Sequence, residues 1–321
     1  ANIVYFASNT DLWKSTDGNT FEKILTQVTS CNKILIHPTN PDIVLLGSNE
    51  GLQRSTDGGA TWTLIKAETC WDIDFQPTNP TVVYALFNNP TAIKSEFWKS
   101  TDTGISFSQQ SNGWYNSTDA NRTDGGSRIA VTAANPNRVY VGLVGYAKAG
   151  DNNWIGVYRS DDAGASWVNP SGQDGGPYAA ANTDAVWNIA AYGGDQGVQQ
   201  GFYNFDIGAS STNADKIWVG TVRLAESSNG GQTFRSIGGP ESIRHTMHAD
   251  VQEIVVVGND VWVASDGGID YSNDEYQTNE SKKYGINGAN YWGFDAGKNL
   301  DVMVGGTYHN GNNARHPNYV S

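Results

Sequence analysis

Leu52-Gln53-Arg54-Ser55-Thr56-Asp57-Gly58-Gly59-Ala60-Thr61-Trp62 is the stretch whose reading decides the fold. Its core has the form S-x-D-x-G-x-[ST]-[WF]. The pattern returns as Ser100-Thr101-Asp102-Thr103-Gly104-Ile105-Ser106-Phe107 and as Ser160-Asp161-Asp162-Ala163-Gly164-Ala165-Ser166-Trp167. A further copy runs from Ser227 to Phe234 with Asn229 in place of the acid. A version one residue shorter runs from Ser15 through Asp17 to Phe21, and a decayed one begins at Ser272-Asn273-Asp274.

Each position has a physical task. A short carboxylate or amide accepts hydrogen bonds from the N–H groups of its own turn, and the serine hydroxyl adds another. Glycine takes the positive-φ position without a Cβ penalty. The final Trp or Phe buries a large ring and starts the next strand facing inward. The motif therefore reads as a stapled hairpin turn, and its recurrence implies one supersecondary unit used repeatedly. Ser15, Asp17, Ser55, Asp57, Ser100, Asp102, Ser160, Asp162, Ser227 and Asn229 are expected to be structural, spent on backbone hydrogen bonds.

The unit can be traced outward from that turn. Cys31 to Ile36 reads as an inner strand, His37-Pro38-Thr39-Asn40-Pro41-Asp42 as a turn, and Ile43 to Gly47 as a second strand. Leu52 to Arg54 is the third strand and Trp62 to Ile65 the fourth. Second-strand markers recur at Ile3-Val4-Tyr5, Ile43-Val44-Leu45, Val82-Val83-Tyr84, Arg138-Val139-Tyr140, Lys216-Ile217-Trp218, Asp260-Val261-Trp262 and Asp301-Val302-Met303. Four short antiparallel strands repeating at ~40 residues predict an all-β β-propeller of four-stranded antiparallel blades. About seven repeat units are expected, with incomplete ends and a full ring of seven to ten blades. Residues 1–321 are expected to form a single propeller domain that is a fragment of a longer chain.

Strand direction then assigns the loops to faces. In a meander, the loops after strands two and four share one face, and the stapled turns lie on the other. Asn88 to Glu96 and Gly145 to Trp154 follow second strands, whereas Gln109 to Arg128 and Asn169 to Phe202 follow fourth strands. All the extra sequence is therefore expected on one face, where long loops on a rigid scaffold carry function.

The chain holds 37 glycines and is 11% aromatic and 17% charged, which suits a turn-rich, strand-rich globular protein. Its formal net charge of −13 argues against a nucleic-acid partner, and no apolar run approaches a membrane span. Cys31 and Cys70 occupy the same place in neighbouring units, 39 residues apart. A disulfide between Cys31 and Cys70, tying adjacent units, is expected and would fit an extracellular or cell-surface location; a pair of free buried thiols is the other reading.

Two groups of residues carry candidate chemistry. The insertions are rich in rings, among them Trp114, Tyr115, Trp154, Tyr178 and Trp187, which could take the apolar faces of sugars or anchor their own loops. His245 to Gln252, Ser265-Asp266-Gly267-Gly268 and Gly305 to Gly311 are all expected on the insertion face, so that His248, Asp250, Asp266 and His309 could converge near the axis. Asp250 and Asp266 could be an acid/base pair for glycoside cleavage, the four side chains could hold a metal, or the group could be a polar plug fixing strand ends. No cofactor is expected.

The STDGGATW-type turns resemble the Asp-box, or BNR, repeats of propellers in sialidases, sortilin-type receptors and family-74 glycoside hydrolases. The stretches HADVQEI, ASDGGIDYSND and YWGFDAGKNLDVMVGGTYHNGN are similar to those of large secreted surface proteins of Bacteroidetes exported by type IX secretion. The sialidase arginine triad and F/Y-R-I-P segment are not visible, and Ser265-Asp266-Gly267-Gly268 is a loose echo of the R-T-D-x-G-G-like stretch of family-74 enzymes. The resemblance implies a secreted propeller that binds a polysaccharide, a glycoprotein or another surface protein. Its alternatives are a polysaccharide hydrolase using Asp250 and Asp266, and a structural or adhesin scaffold.

Overall fold

The computed structural model describes residues 3–8, 10–26, 28, 30–92, 94–115, 123–146, 154–170, 189–192, 198–199, 201, 203–239, 242, 244–282, 291–296, 303–307 and 312–315. The described residues form antiparallel meanders in chain order. Blade one contains Val4–Ala7, Asp11–Ser15 and Glu22–Thr26; blade two contains Cys31–Ile36, Val44–Ser48, Gly51–Ser55 and Thr63–Lys66. Cys70–Gln76, Asn79–Asn89, Lys94–Ser100 and Ser108–Gln109 form blade three. Blade four has Thr123–Val131, Val139–Tyr146 and Gly156–Ser160, with Val168 bridging to Arg159 where a fourth strand would lie. Blade five has Asp206–Ala209, Ile217–Gly220, Leu224–Ser227 and Arg235–Gly238. Val251–Val257, Asp260–Ser265, Gly268–Ser272 and Glu280–Ser281 make blade six, and Tyr291–Ala296, Met303–Thr307 and Asn312–Arg315 make blade seven. A small ribbon, Ala191–Tyr192 with Val198–Gln199, stands in the insertion between blades four and five.

The blades stack face to face because their middle strands are apolar on both sides. Along Asn79–Asn89, Val83, Ala85 and Phe87 pack with Leu45 and Leu52 of blade two, whereas Tyr84 and Leu86 pack with Ile129, Val139 and Val141 of blade four. That period of two sends alternate side chains to opposite neighbours. The sequence continues with Tyr140 and Val144 against Ile207 and Val219, then Trp218 and Leu224 against Ile254 and Val263. Fully burying each such side chain is worth about 1.5–3 kcal/mol, so the inter-blade layers hold the fold together. Close approach matters at Gly142, where an added Cβ would stand 2.6 Å from the Phe205 ring of the next blade.

The inner strands of blades two to six lie side by side in chain order around a hub. Across it, Lys33 of blade two reaches Glu253 of blade six at 3.4 Å. The chain is therefore an all-β propeller of antiparallel blades.

The full-length S-x-D turns share one geometry. In blade two the Ser55 hydroxyl donates to Asp57 Oδ1 at 2.8 Å and accepts the Gly59 N–H at 2.8 Å. Asp57 in turn accepts the Thr61 N–H at 2.8 Å and hydroxyl at 2.6 Å. Trp62 closes the motif by donating its indole N–H to the Gly59 carbonyl. The same bonds recur around Ser100 and Asp102, and around Ser160 and Asp162. Ser15 and Asp17 keep the serine–carboxylate bond, and Asn229 uses its amide Nδ2 to donate to Thr233. Hydrogen bonds to the charged form hold Asp17, Asp57 and Asp102 down to about 2.

A second regularity ties each turn to the preceding blade. The residue after the motif acid is left-handed, at φ 65° in Gly58, 60° in Thr103, 58° in Ala163 and 70° in Gly230. Its carbonyl thereby turns toward the cation that precedes the motif serine one blade earlier. Lys14 Nζ donates to Gly58 O at 2.7 Å, Arg54 Nε to Thr103 O at 2.9 Å, Lys99 Nζ to Ala163 O at 2.8 Å and Arg159 Nη1 to Gly230 O at 3.3 Å.

The cysteines depart from the disulfide expectation: Cys31 and Cys70 are free thiols. Equivalent positions in successive blades point the same way, so they face different layers. Cys31 packs in the layer between blades one and two, and Cys70 in the layer between two and three. Burial raises the pKa of both, that of Cys31 to about 11.

Candidate functional site at the hub

One register position in the inner strands carries a charge in five successive blades. Lys33, Asp72, Arg128, Asp206 and Glu253 each precede an isoleucine and pair with the second strand opposite Gly47, Leu86, Gly142, Gly220 and Ala264. In blades two, three and six a bulge lies immediately before the charged residue. These residues were missed from sequence. The available signal was the recurring charged residue before isoleucine in each inner strand.

The carboxylates cap strand edges that would otherwise leave N–H groups unpaired. Asp72 accepts the Ile73 N–H at 2.9 Å and, from the next blade, the Ile129 N–H at 2.7 Å. Asp206 accepts the Ile254 N–H of blade six at 2.6 Å. Arg128 donates to the carbonyls of Trp71 and Ser127. Burial, reinforced by the neighbouring Asp72 charge, pushes Asp74 up to about 7. Burial likewise pushes Asp206 to about 7, against the opposing pull of Lys33. The Asp72 charge is the largest cause of the raised pKa of Lys33.

At the insertion-face end of this hub, His248, Asp250 and Asp266 come together. Asp250, 9% exposed and left-handed at φ 65°, accepts a bond from Asn204 Nδ2 at 2.8 Å. Its backbone N–H donates to Val222 O, and its carbonyl accepts the Asp266 N–H. Asp266 Oδ1 accepts from Gln252 Nε2 at 2.9 Å. His248 packs on Gly267, where an added Cβ would meet the histidine Cβ at 2.2 Å, and its Nδ1 lies 2.9 Å from Ala249 O. The arrangement holds the ends of inner strands five and six, with Asn204 and Asp250 buried and the Gln252 amide and Asp266 carboxylate half-buried at the hub mouth. Among the described residues no group of three or more His, Cys, Asp or Glu side chains could hold a metal ion. His309 lies outside the described residues.

The aromatic expectation changes at three positions. Trp114, Tyr115 and Trp154 are 7%, 1% and 6% exposed, so they are not sugar platforms. Trp114 stacks edge-on to Trp167 at 4.8 Å and donates its indole N–H to Ser95 O at 2.9 Å. Tyr115 meets Tyr158, and Trp154 meets Phe205. Burial of these large rings anchors each insertion to its blade. Tyr178 and Trp187 lie outside the described residues.

No family model matches the chain, and no curated protein matches it. Solved structures do resemble it in fold. An ancestral GH74 enzyme superposes with a TM-score of 0.50 and 17% identity over 98% of this chain and 51% of its own. YCF48 bound to D1 peptide gives 0.50 and 12% over 98% of this chain and 87% of its own. The extracellular domain of a protein assigned to a one-component system of B. thetaiotaomicron gives 0.53 and 13%, over 97% of this chain and 36% of its own. The chain thus spans about half of the GH74 enzyme and about a third of the B. thetaiotaomicron domain. Among the described residues no helix is long and apolar enough to cross a membrane.

Proposed function

We propose that this chain is an extracellular or cell-surface propeller of the Asp-box type that binds a glycan or glycoprotein at the insertion-face mouth of its hub. The observation that carries this reading is the half-buried pair Gln252 and Asp266 there, joined at 2.9 Å, above the buried Asn204–Asp250 bond of 2.8 Å that fixes the strand ends beneath it. Amides and carboxylates in fixed positions suit the recognition of sugar hydroxyls, because both donors and acceptors are pre-oriented. The neighbours that are a GH74 enzyme and a Bacteroides extracellular domain agree with that setting.

Binding without turnover accounts for the geometry better than hydrolysis by Asp250 and Asp266. An acid/base pair must present both carboxyl groups to the scissile bond. Asp250 instead is buried, bonded to Asn204, and fixed by backbone bonds on both sides.

The test is a glycan array followed by calorimetry on the polysaccharides retained, with wild type and Asp266→Ala. Saturable binding that weakens at least tenfold in the variant, with no reducing ends released, is the expected result. Release of reducing ends that stops in Asp266→Ala would replace this reading with a hydrolase. Absence of any binding would leave a scaffold.

A further inference from the structure

Among the described turns, the latch between successive blades is rerouted between blades five and six, and a cleft stands there. Blade five carries Glu226 where blades one to four carry Lys14, Arg54, Lys99 and Arg159. The left-handed residue after the motif acid of the blade-six turn is Glu275, and its carbonyl is taken by Lys216 Nζ at 2.6 Å, from the residue just before strand Ile217–Gly220 of blade five. Glu226, 4% exposed, is held by Lys216 at 3.3 Å and by Arg235, whose Nε lies at 3.1 Å. Between blades five and six this exchange leaves a cleft of 390 Å³, lined further by Arg244, His245, Tyr276 and Gln277. Tyr276 and Gln277 come from the blade-six S-x-D turn, and His245, expected on the insertion face, lies against that turn.

We infer that this cleft is a second binding site, for a saccharide that carries a carboxylate, such as a uronic acid. Its volume falls within the ~300–1,000 Å³ of small-molecule sites. Lys216 and Arg235 are committed to Glu226 and Glu275. The Arg244 guanidinium is exposed, has no hydrogen bond or ion pair among the described residues, and stands at the cleft of a chain with a net charge of −13. A planar guanidinium binds a carboxylate through two parallel N–H bonds. The Gln277 amide supplies a mixed donor–acceptor for hydroxyl groups, which a bare anion would leave unused. Burial fixes the floor, because His245 is 9% and Tyr276 2% exposed and the histidine Nε2 lies 3.0 Å from Tyr276 O. The site is independent of the reading given for the hub mouth.

Titration with galacturonate and glucuronate, followed by amide NMR shifts and calorimetry, tests the assignment, with galactose and acetate as controls. Saturable binding of a uronate, weakened about tenfold or more by Arg244→Ala and unchanged by Asp266→Ala, is expected. Glu226→Gln, which releases two cations, should strengthen uronate binding several-fold. No uronate binding, equal binding of galactose, or insensitivity to Arg244→Ala would overturn the site. Acetate binding as tightly as the uronates would reduce it to a simple anion contact. Loss of uronate binding in Asp266→Ala would move the ligand to the hub mouth.

Discussion

Lys33 Nζ lies 3.4 Å from Glu253 Oε1, although 220 residues separate them in the chain. The contact links the inner strands of blades two and six across the hub, so it exists only because intervening blades turn the chain through an arc. Both side chains keep substantial exposure, at 33% and 53%, and such a pair contributes little net stability, about 0–1 kcal/mol. Its importance is electrostatic: it sets one cation among Asp72, Asp74, Asp206 and Glu253.

That setting predicts a stability optimum on the acid side of neutrality. Asp74 and Asp206 have folded pKa values raised to about 7, so the folded state holds more protons than the unfolded chain between about pH 4 and that value. Stability therefore falls as pH rises through this window. Asp17, Asp57, Asp102 and Asp274 have folded values near about 2, so their contribution is present above about pH 4 and is lost as pH falls below it. The unfolding temperature should be higher at about pH 5 than at about pH 8, and Asp206→Asn should narrow the difference. An unchanged difference in that variant would show that Asp206 does not cause it.

Ser55→Ala tests the staple itself. The change removes the acceptor of the buried Gly59 N–H and the donor to Asp57. Leaving a buried N–H unpaired costs about 1–3 kcal/mol, to be measured by denaturant unfolding. A loss below about 0.5 kcal/mol would mean that water or a relaxed turn replaces the bond.

The latch predicts additive losses around the ring. Lys99→Met leaves the Ala163 carbonyl without its 2.8 Å donor and should cost about 1 kcal/mol. Lys14→Met acts two interfaces away, and the double variant should equal the sum of the singles within about 0.5 kcal/mol. Strong non-additivity in unfolding curves would point to rearrangement of the ring.

Trp114→Ala should act on stability and not on ligand contact. Removing a ring buried against Trp167, Phe97 and Tyr158 is expected to cost about 3–5 kcal/mol. Any ligand bound by the folded fraction should retain its affinity. A variant of normal stability with weakened binding would return Trp114 to the binding surface.

The thiols offer a chemical check. Both cysteines are free, and burial raises the pKa of each, so native protein should react slowly with a thiol reagent near pH 8. Unfolded protein without reductant should titrate both. Finding neither would require a disulfide and a different packing of blades two and three.

The repeating unit was legible in the chain because its determinants are local. Ser55, Asp57, Gly59, Thr61 and Trp62 lie within a few residues of one another, and their bonds close inside the turn they define. The period of those turns implied the meander, and strand direction placed the insertions on one face. The position of His248, Asp250 and Asp266 at one strand end followed from the same reasoning.

What the chain order alone left open depends on which layer each side chain enters. Trp114 and Trp154 lie in polar, glycine-rich segments, yet packing between blades buries them. Cys31 and Cys70 share a repeat position, and for that reason they point into successive layers and do not meet. The charges at Lys33, Asp72, Arg128, Asp206 and Glu253 are far apart in sequence, and only curvature of the stack brings them to one hub. Local hydrogen bonds write the blade into the sequence, whereas burial and charge proximity arise when blades pack against one another.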